Sequence, residues 1–311
     1  MFWAEEDTDD HRPGEAPVTT STPVFRLLSE ALGVEALNID ASQPQEDHVI
    51  ASLVAALDQH GIVLMRGQTL SPDEHIAFSR RFGPLQEVAQ KQYQMPGKPL
   101  VYVIGNVVEN GRAVADPSVG RLWHSDQSFL QHPALGSILY GLECPPVGAD
   151  TLFANSYAAY EALPPDRQVY LEGLRAVHSF ADYYEGLRRR DATQPMLTSE
   201  RKALYPDVVH PLVRQNPRTR RKAIYYNPGY VTQILGVSDE ESQLLMRELA
   251  DHCTRPQFVY AHEWRAGDVV MWDNLGVAHK GTPFDTEHYI RRMHRTTIAG
   301  NADVYRASLL Q

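Results

Sequence analysis

A mainly β fold with flanking helices, a sandwich or jelly roll, is what this sequence predicts, on three observations. Short segments rich in β-branched and aromatic residues crowd the centre and end of the chain, and turn residues bound most of them. Helical periodicity is confined to the early part and one late insertion. Alternating βαβ units, which would spread helices evenly between strands, are absent from the pattern.

In chain order, residues 1–23, "MFWAEEDTDDHRPGEAPVTTSTP", are acidic and rich in Pro and Thr. They lack the basic start and apolar run of a signal peptide and are expected to form a flexible tail. Residues 24–311 are expected to form one domain. Apolar residues at helical spacing over 48–61, "HVIASLVAALDQHG", and a closing Gly predict a helix. "GIVLMRG" follows as a short buried strand. "SPDEHIAFSRRFG" is a well-marked helix: Ser71 caps it, Pro72 fits its first turn, Glu74 completes a capping box, and Gly83 ends it. The polar segment from Pro84 to Leu122 carries one clear strand, "LVYVIG", and is a candidate lid. Strands are then expected at 137–143, 150–155, 222–227, 258–264, 268–274 and 291–300, with a second capping box, "SDEE", opening a helix that runs towards Cys253.

The 311 residues suffice for one large domain with a substantial core, and 43% hydrophobic with 22% charged residues is ordinary for a soluble globular chain. With 39 acidic against 29 basic residues the net charge is -10, which disfavours broad nucleic-acid binding. No stretch approaches the roughly 18 apolar residues of a membrane helix. The two cysteines, Cys144 and Cys253, have no zinc or redox spacing and read as buried thiols of a cytoplasmic protein.

The chemistry begins at "LWHSDQSF". On an extended strand end, residues i and i+2 point the same way, so His124 and Asp126 can converge on one ion. A bare His-x-Asp pair is common by chance, and a third ligand is needed. His279 follows "GDVVMWDNLGVA", a strongly apolar strand and a polar corner that could present it into a cavity; taken alone, it is as readily a capped surface histidine. In "YIRRMHRTTIAG", alternation sends Arg291, Met293 and Arg295 to one strand face. Two arginines there are costly to bury unless they meet anions, though a solvated face would also accommodate them. Two histidines and one carboxylate fill one face of an octahedral ion and leave positions open, the facial triad of non-haem Fe(II) oxygenases.

With these residues in view, the sequence resembles the taurine dioxygenase-like Fe(II)/2-oxoglutarate-dependent dioxygenases, which include the phenoxyacetate herbicide dioxygenases. The likeness covers roughly Leu32 to Asn301. It is carried by "MRGQTLSPDEHIAFSRRFGPL", "LWHSDQSF", "PPVGADTLFANSYAAYEALP", "HPLVRQNPRTRRKAIYYN", "GDVVMWDNLGVAHKG" and "RRMHRTTIAG". The resemblance implies a double-stranded β-helix (jelly-roll) core and His124, Asp126 and His279 as iron ligands. It further implies Thr151 and Arg291 on the distal carboxylate of 2-oxoglutarate, and Arg295 facing the substrate. Fe(II), 2-oxoglutarate and O2 would be the cofactor and co-substrates, with succinate and CO2 as co-products of C–H hydroxylation. Related halogenases lack the carboxylate ligand; Asp126 is kept, which favours oxygenation.

For the substrate, the position after "FGPL" matters. Taurine dioxygenases carry there a histidine and a tyrosine that touch taurine, where this chain has Val88 and Lys91. Lys91 resembles a lysine of the phenoxyacetate enzymes that can meet a substrate carboxylate; as a residue, it also reads as a solvated loop lysine. The expected partner is a small anionic organic substrate, carboxylate favoured over sulfonate, with no nucleic acid, no membrane, and a homo-oligomer (dimer or tetramer) by the family's habit. A taurine or alkylsulfonate dioxygenase is one alternative. A non-catalytic metal-binding jelly-roll protein is the other, and it would have no use for Arg291 and Thr151.

Overall fold

The computed structural model describes residues 23–88, 90–117, 120–190 and 196–300. The expected tail at 1–23 lies almost wholly outside them. An eight-stranded sheet forms one layer, in the order Val24–Leu27, Val34–Leu37, Ile62–Met65, Val269–Asp273, Gly136–Glu143, Arg292–Ile298, Lys98–Gly105 and Gln94–Met95. All pairs are antiparallel except Val34–Leu37 with Ile62–Met65. A three-stranded sheet, Val259–His262, Thr151–Asn155 and Val277–Gly281, faces it.

The period of two along the strands builds two cores at once. Val63, Met65, Ile138, Tyr140, Val269 and Met271 turn outward and pack beneath helix Asp47–His60 with its Val49, Leu53 and Leu57. Their neighbours Ile62, Leu64, Leu139, Val270 and Trp272 turn inward and meet Phe153 and Val277 of the smaller sheet. Strands buried on both faces read as continuous apolar runs, which is why "GIVLM" and "DVVMW" show no alternation. Gly61 ends the first helix in a left-handed conformation (φ 74°). The expected box at Ser71 and Glu74 is formed in both directions, on helix Pro72–Arg80, which stops before Gly83. Ser238 caps Asp239–Cys253 by accepting from the Glu241 amide.

Two expectations need correction. Helices are not confined to the early part and one late insertion: four short ones, Ser156–Glu161, Pro165–Glu172, Phe180–Arg190 and Ser199–Leu204, lie between the strands, each too short for periodicity to mark it firmly in the sequence. The strand expected over 222–227 stops at Ile224, because the Asn227 carbonyl accepts the Tyr230 and Val231 amides and turns the chain. Within the Pro84–Leu122 segment the expected strand is formed as Lys98–Gly105 and is paired to Arg292–Ile298 inside the main sheet. Of the two thiols, Cys253 is buried and Cys144 only half-buried. No helix among the described residues is long and apolar enough to cross a membrane.

Candidate active site

The smaller sheet presents His279 at the centre of Val277–Gly281. The segment carrying His124 pairs with it through a backbone bridge: the His124 amide donates to the His279 carbonyl at 3.0 Å, and the His279 amide returns to His124 at 2.8 Å. That bridge sets the two imidazoles side by side, ring centroids 4.2 Å apart. Asp126, two residues on, brings Oδ1 to 3.8 Å from His124 Nε2 and 3.9 Å from His279 Nε2. One donor atom from each of the three lies within 4.8 Å of the others, and all three side chains are buried.

The donor chemistry suits an ion. His124 Nδ1 lies 2.7 Å from the Leu122 carbonyl, so Nδ1 carries the proton and Nε2 keeps its lone pair. Burial lowers both histidine pKa values, that of His279 far below the usual range, so both rings are neutral ligands at neutral pH. Burial alone would raise the Asp126 carboxyl, but the Arg295 guanidinium, the two imidazoles and the Ser137 hydroxyl hold it down at about 2.

Several residues that fix Asp126 escaped the sequence reading. Asn274 accepts from the Asp126 amide (2.8 Å) and donates to the carbonyls of Asp126 (2.7 Å) and Ala134 (2.9 Å). Ser137 donates to Asp126 Oδ2 at 2.6 Å, and the Ser125 amide donates to Asn227 Oδ1 at 2.5 Å. Asn274 stood inside the quoted "WDNLGVAH"; a buried amide at a strand end was the one available signal.

Two chambers meet at this point. The larger, about 510 Å³, is lined by Thr151, Leu139, Trp272, His279, Arg291 and Arg295, among others. Thr151 is buried, and Trp264 Nε1 donates to its Oγ1 at 2.9 Å, which leaves the hydroxyl proton to point elsewhere. Arg291 has no carboxylate partner among the described residues, and burial pulls its pKa down to about 10. Its backbone is clamped to Asn106, whose Oδ1 accepts the Arg291 amide at 2.8 Å while the Asn106 amide donates back to the Arg291 carbonyl. That approach requires Gly105: at φ +144° a Cβ would sit 1.7 Å from the Arg291 carbonyl oxygen.

The smaller chamber, about 140 Å³, is lined by His124, Asp126 and Arg295, by a group of aromatic rings, and by Arg201. Arg295 belongs to both chambers, but its Nη1 donates to Asp126 Oδ1 at 2.6 Å. Of the anions that a buried Arg295 was expected to need, one is thus a metal-ligand candidate of the chain itself, beside any substrate group it faces. Lys91 is exposed on the one-turn helix Lys91–Tyr93 and lines neither chamber, although its neighbours Gln90, Gln92 and Tyr93 line the smaller one. The structure does not bring Lys91 to the site.

A facial triad between two sheets, with a basic chamber on one side of it, defines the Fe(II)- and 2-oxoglutarate-dependent dioxygenases of the jelly-roll class. The chain matches the Taurine catabolism dioxygenase TauD, TfdA family over residues 24–297 and belongs to that family. It is 36% identical over 284 residues to the alpha-ketoglutarate-dependent 2,4-dichlorophenoxyacetate dioxygenase of Cupriavidus pinatubonensis, covering 88% of this chain and 96% of the relative. It is 33% identical to pentalenolactone F synthase of Streptomyces avermitilis over 88% of this chain and 93% of that one. Among solved structures it is similar to AAD-2 in complex with Mn(II) and N-oxalylglycine (TM-score 0.80, 29% identity, 90% of this chain and 99% of that chain). It is also similar to a taurine dioxygenase from Burkholderia xenovorans (TM-score 0.75, 31% identity, 90% of each). The protein is thus an oxidoreductase that uses Fe(II), 2-oxoglutarate and O2.

Proposed function

We propose that the protein hydroxylates a C–H bond of a small anionic organic substrate, carboxylate favoured over sulfonate. One O2 is consumed: one oxygen atom enters the substrate, and the other enters the succinate formed as 2-oxoglutarate loses CO2. The convergence of His124, Asp126 and His279 donor atoms within 4.8 Å carries this reading. Iron bound there supplies the redox activation of O2 that no side chain provides.

The chain's own residues do the positioning. His124, Asp126 and His279 hold the ion, and the Asn274 clamp keeps Asp126 in place. Arg291 binds the distal carboxylate of 2-oxoglutarate by a charge-assisted contact, and Thr151 donates its hydroxyl, oriented by Trp264. An unpaired, largely buried guanidinium is expensive to keep, so a dianionic co-substrate explains Arg291 better than a structural metal site does. Arg295, through the N–H groups that Asp126 leaves, is the substrate contact nearest the metal. Against a taurine-type sulfonate, Val88 packs into an apolar cluster and offers no polar contact where the taurine enzymes have one.

The test is spectroscopic and chemical. Anaerobic addition of Fe(II) and 2-oxoglutarate should give a weak visible charge-transfer band, and a panel of organic acids should include one that releases succinate. Asp126→Ala should lose the band and turnover. Wild-type iron binding and turnover in that variant would remove Asp126 from the ligand set.

A further inference from the structure

We propose that Gln127 determines specificity: its side-chain oxygen accepts a hydrogen bond from an O–H or N–H group of the substrate. The substrate is then an acid that carries such a donor beside the anionic group facing Arg295. This rests on the dioxygenase reading above and adds a second polar feature that the molecule oxidised must have.

Gln127 follows Asp126 in the turn 126–129 and lines the smaller chamber. Its φ is 57°, a left-handed conformation that glycine and asparagine adopt more readily than glutamine. The Leu130 amide donates to the Gln127 carbonyl at 2.9 Å, so the backbone closes this turn and the long side chain has no part in it. Although Gln127 as a whole is half-buried, its Oε1 is fully covered and has no hydrogen-bond partner among the described residues. A strained backbone that presents a buried, unpaired acceptor beside a metal-ligand candidate is a feature for a ligand to complete.

Other polar groups of the chamber wall are paired with one another. Tyr102 donates to Asp116 at 2.5 Å, and Asp126 accepts from Arg295 Nη1 and from Ser137, both at 2.6 Å. Among the described residues lining the chamber, two buried side-chain atoms are left without a partner: Nε of Arg295 and Oε1 of Gln127. One is a donor and the other an acceptor. A simple carboxylate satisfies Arg295 but dries the chamber around Gln127, and a buried acceptor left unpaired is costly. Phe129 and Phe180 offer only apolar faces and cannot supply the hydrogen. An acid that also bears a hydroxyl or an N–H satisfies both groups. Such a site discriminates sharply, because an analogue without the donor strands a polar atom of the protein.

The assay is calorimetric titration of the full chain with Fe(II) and saturating 2-oxoglutarate under argon, so that binding is read without turnover. The donor-bearing probes are 3-hydroxyhexanoate, 6-hydroxyhexanoate and 3-acetamidohexanoate. Each is compared with its O- or N-methyl derivative, which blocks the donor, and with hexanoate, which lacks the group. Wild type should bind at least one donor-bearing acid about tenfold or more tighter than both controls. Gln127→Met keeps the side-chain length and removes the acceptor; it should weaken that acid about tenfold and bring it level with hexanoate. Gln127→Glu keeps an acceptor and should restore the preference. Acids and controls bound alike by wild type, or no acid bound at all, would overturn the proposal; in the first case water suffices for Gln127. A preference unaltered in Gln127→Met would move the donor to another acceptor, such as Asp116. A preference lost in Gln127→Glu would turn the Gln127 amide N–H to the ligand. Either result also overturns the assignment. Those failures leave the Fe(II)–2-oxoglutarate band and succinate release standing, whereas a wild type without either defeats the dioxygenase reading itself.

Discussion

The two sides of the metal centre are built by different physics. On the side of the larger chamber, proposed to hold 2-oxoglutarate, sheet strands carry Thr151 and His279, the loop leading into Arg292–Ile298 carries Arg291, and directional hydrogen bonds fix the groups around them: Trp264 to Thr151, Asn106 to Arg291, Asn274 and Ser137 to Asp126. On the side of the smaller chamber the wall comes largely from loops and from helices Phe180–Arg190 and Ser199–Leu204, and much of it is aromatic rings packed on one another. Hydrogen bonds specify position to a few tenths of an ångström, whereas ring packing specifies shape and tolerates substitution. A site assembled this way can keep one reaction while its substrate changes.

The largest effect that would test this contrast lies at Asn274. Replacing it by Ala strands the Asp126 amide, the Asp126 carbonyl and the Ala134 carbonyl, all in the interior. Each unsatisfied group costs about 1–3 kcal/mol, so the folded state should lose about 3 kcal/mol or more. A thermal melt should show a drop of several degrees, and the Fe(II) dissociation constant should rise with it. A variant that melts and binds iron like wild type would mean that the clamp does not position Asp126.

Arg291→Ala should behave in the opposite way. It removes a charge-assisted contact worth about 1.5–3 kcal/mol, so the KM for 2-oxoglutarate should rise tenfold or more. Stability should hold or improve, because the chain alone gives this buried cation no carboxylate among the described residues. Steady-state succinate release at varied 2-oxoglutarate, beside a melt, separates the two. An unchanged KM would assign the distal carboxylate to another cation.

The same division explains what could be read in the sequence. His124 and Asp126 are two residues apart, and strand geometry lets them converge, while Arg291 and Arg295, in a stretch that reads as readily as a solvated basic face, took their roles from the family resemblance. The two-sided burial of "GIVLM" and "DVVMW" was equally legible, since only a central strand stays apolar at every position. Asn274 and Trp264 were not legible as positioning groups: their partners lie 148 and 113 residues away, and only the closed sheets bring them together. The aromatic lining of the smaller chamber was hidden for another reason. Phe129 and Tyr230 come from loops and Phe180 and Tyr183 from one short helix, and nothing in local spacing distinguishes a chamber-lining ring from a core ring.

Lys91 gives the smallest expected effect and the sharpest check on the substrate side. Its position after "FGPL" suggested a carboxylate contact, yet the one-turn helix Lys91–Tyr93 turns Tyr93 and Gln92 to the chamber and leaves Lys91 in solvent. A cation in water attracts an anion weakly, and salt screens it over about 8–10 Å at ordinary ionic strength. Lys91→Ala should therefore leave the dissociation constant of an anionic substrate within about twofold, and the residual difference should vanish in high salt. If Lys91→Ala weakened binding tenfold, the substrate's charge would sit at the chamber mouth, beside Lys91 and away from Arg295.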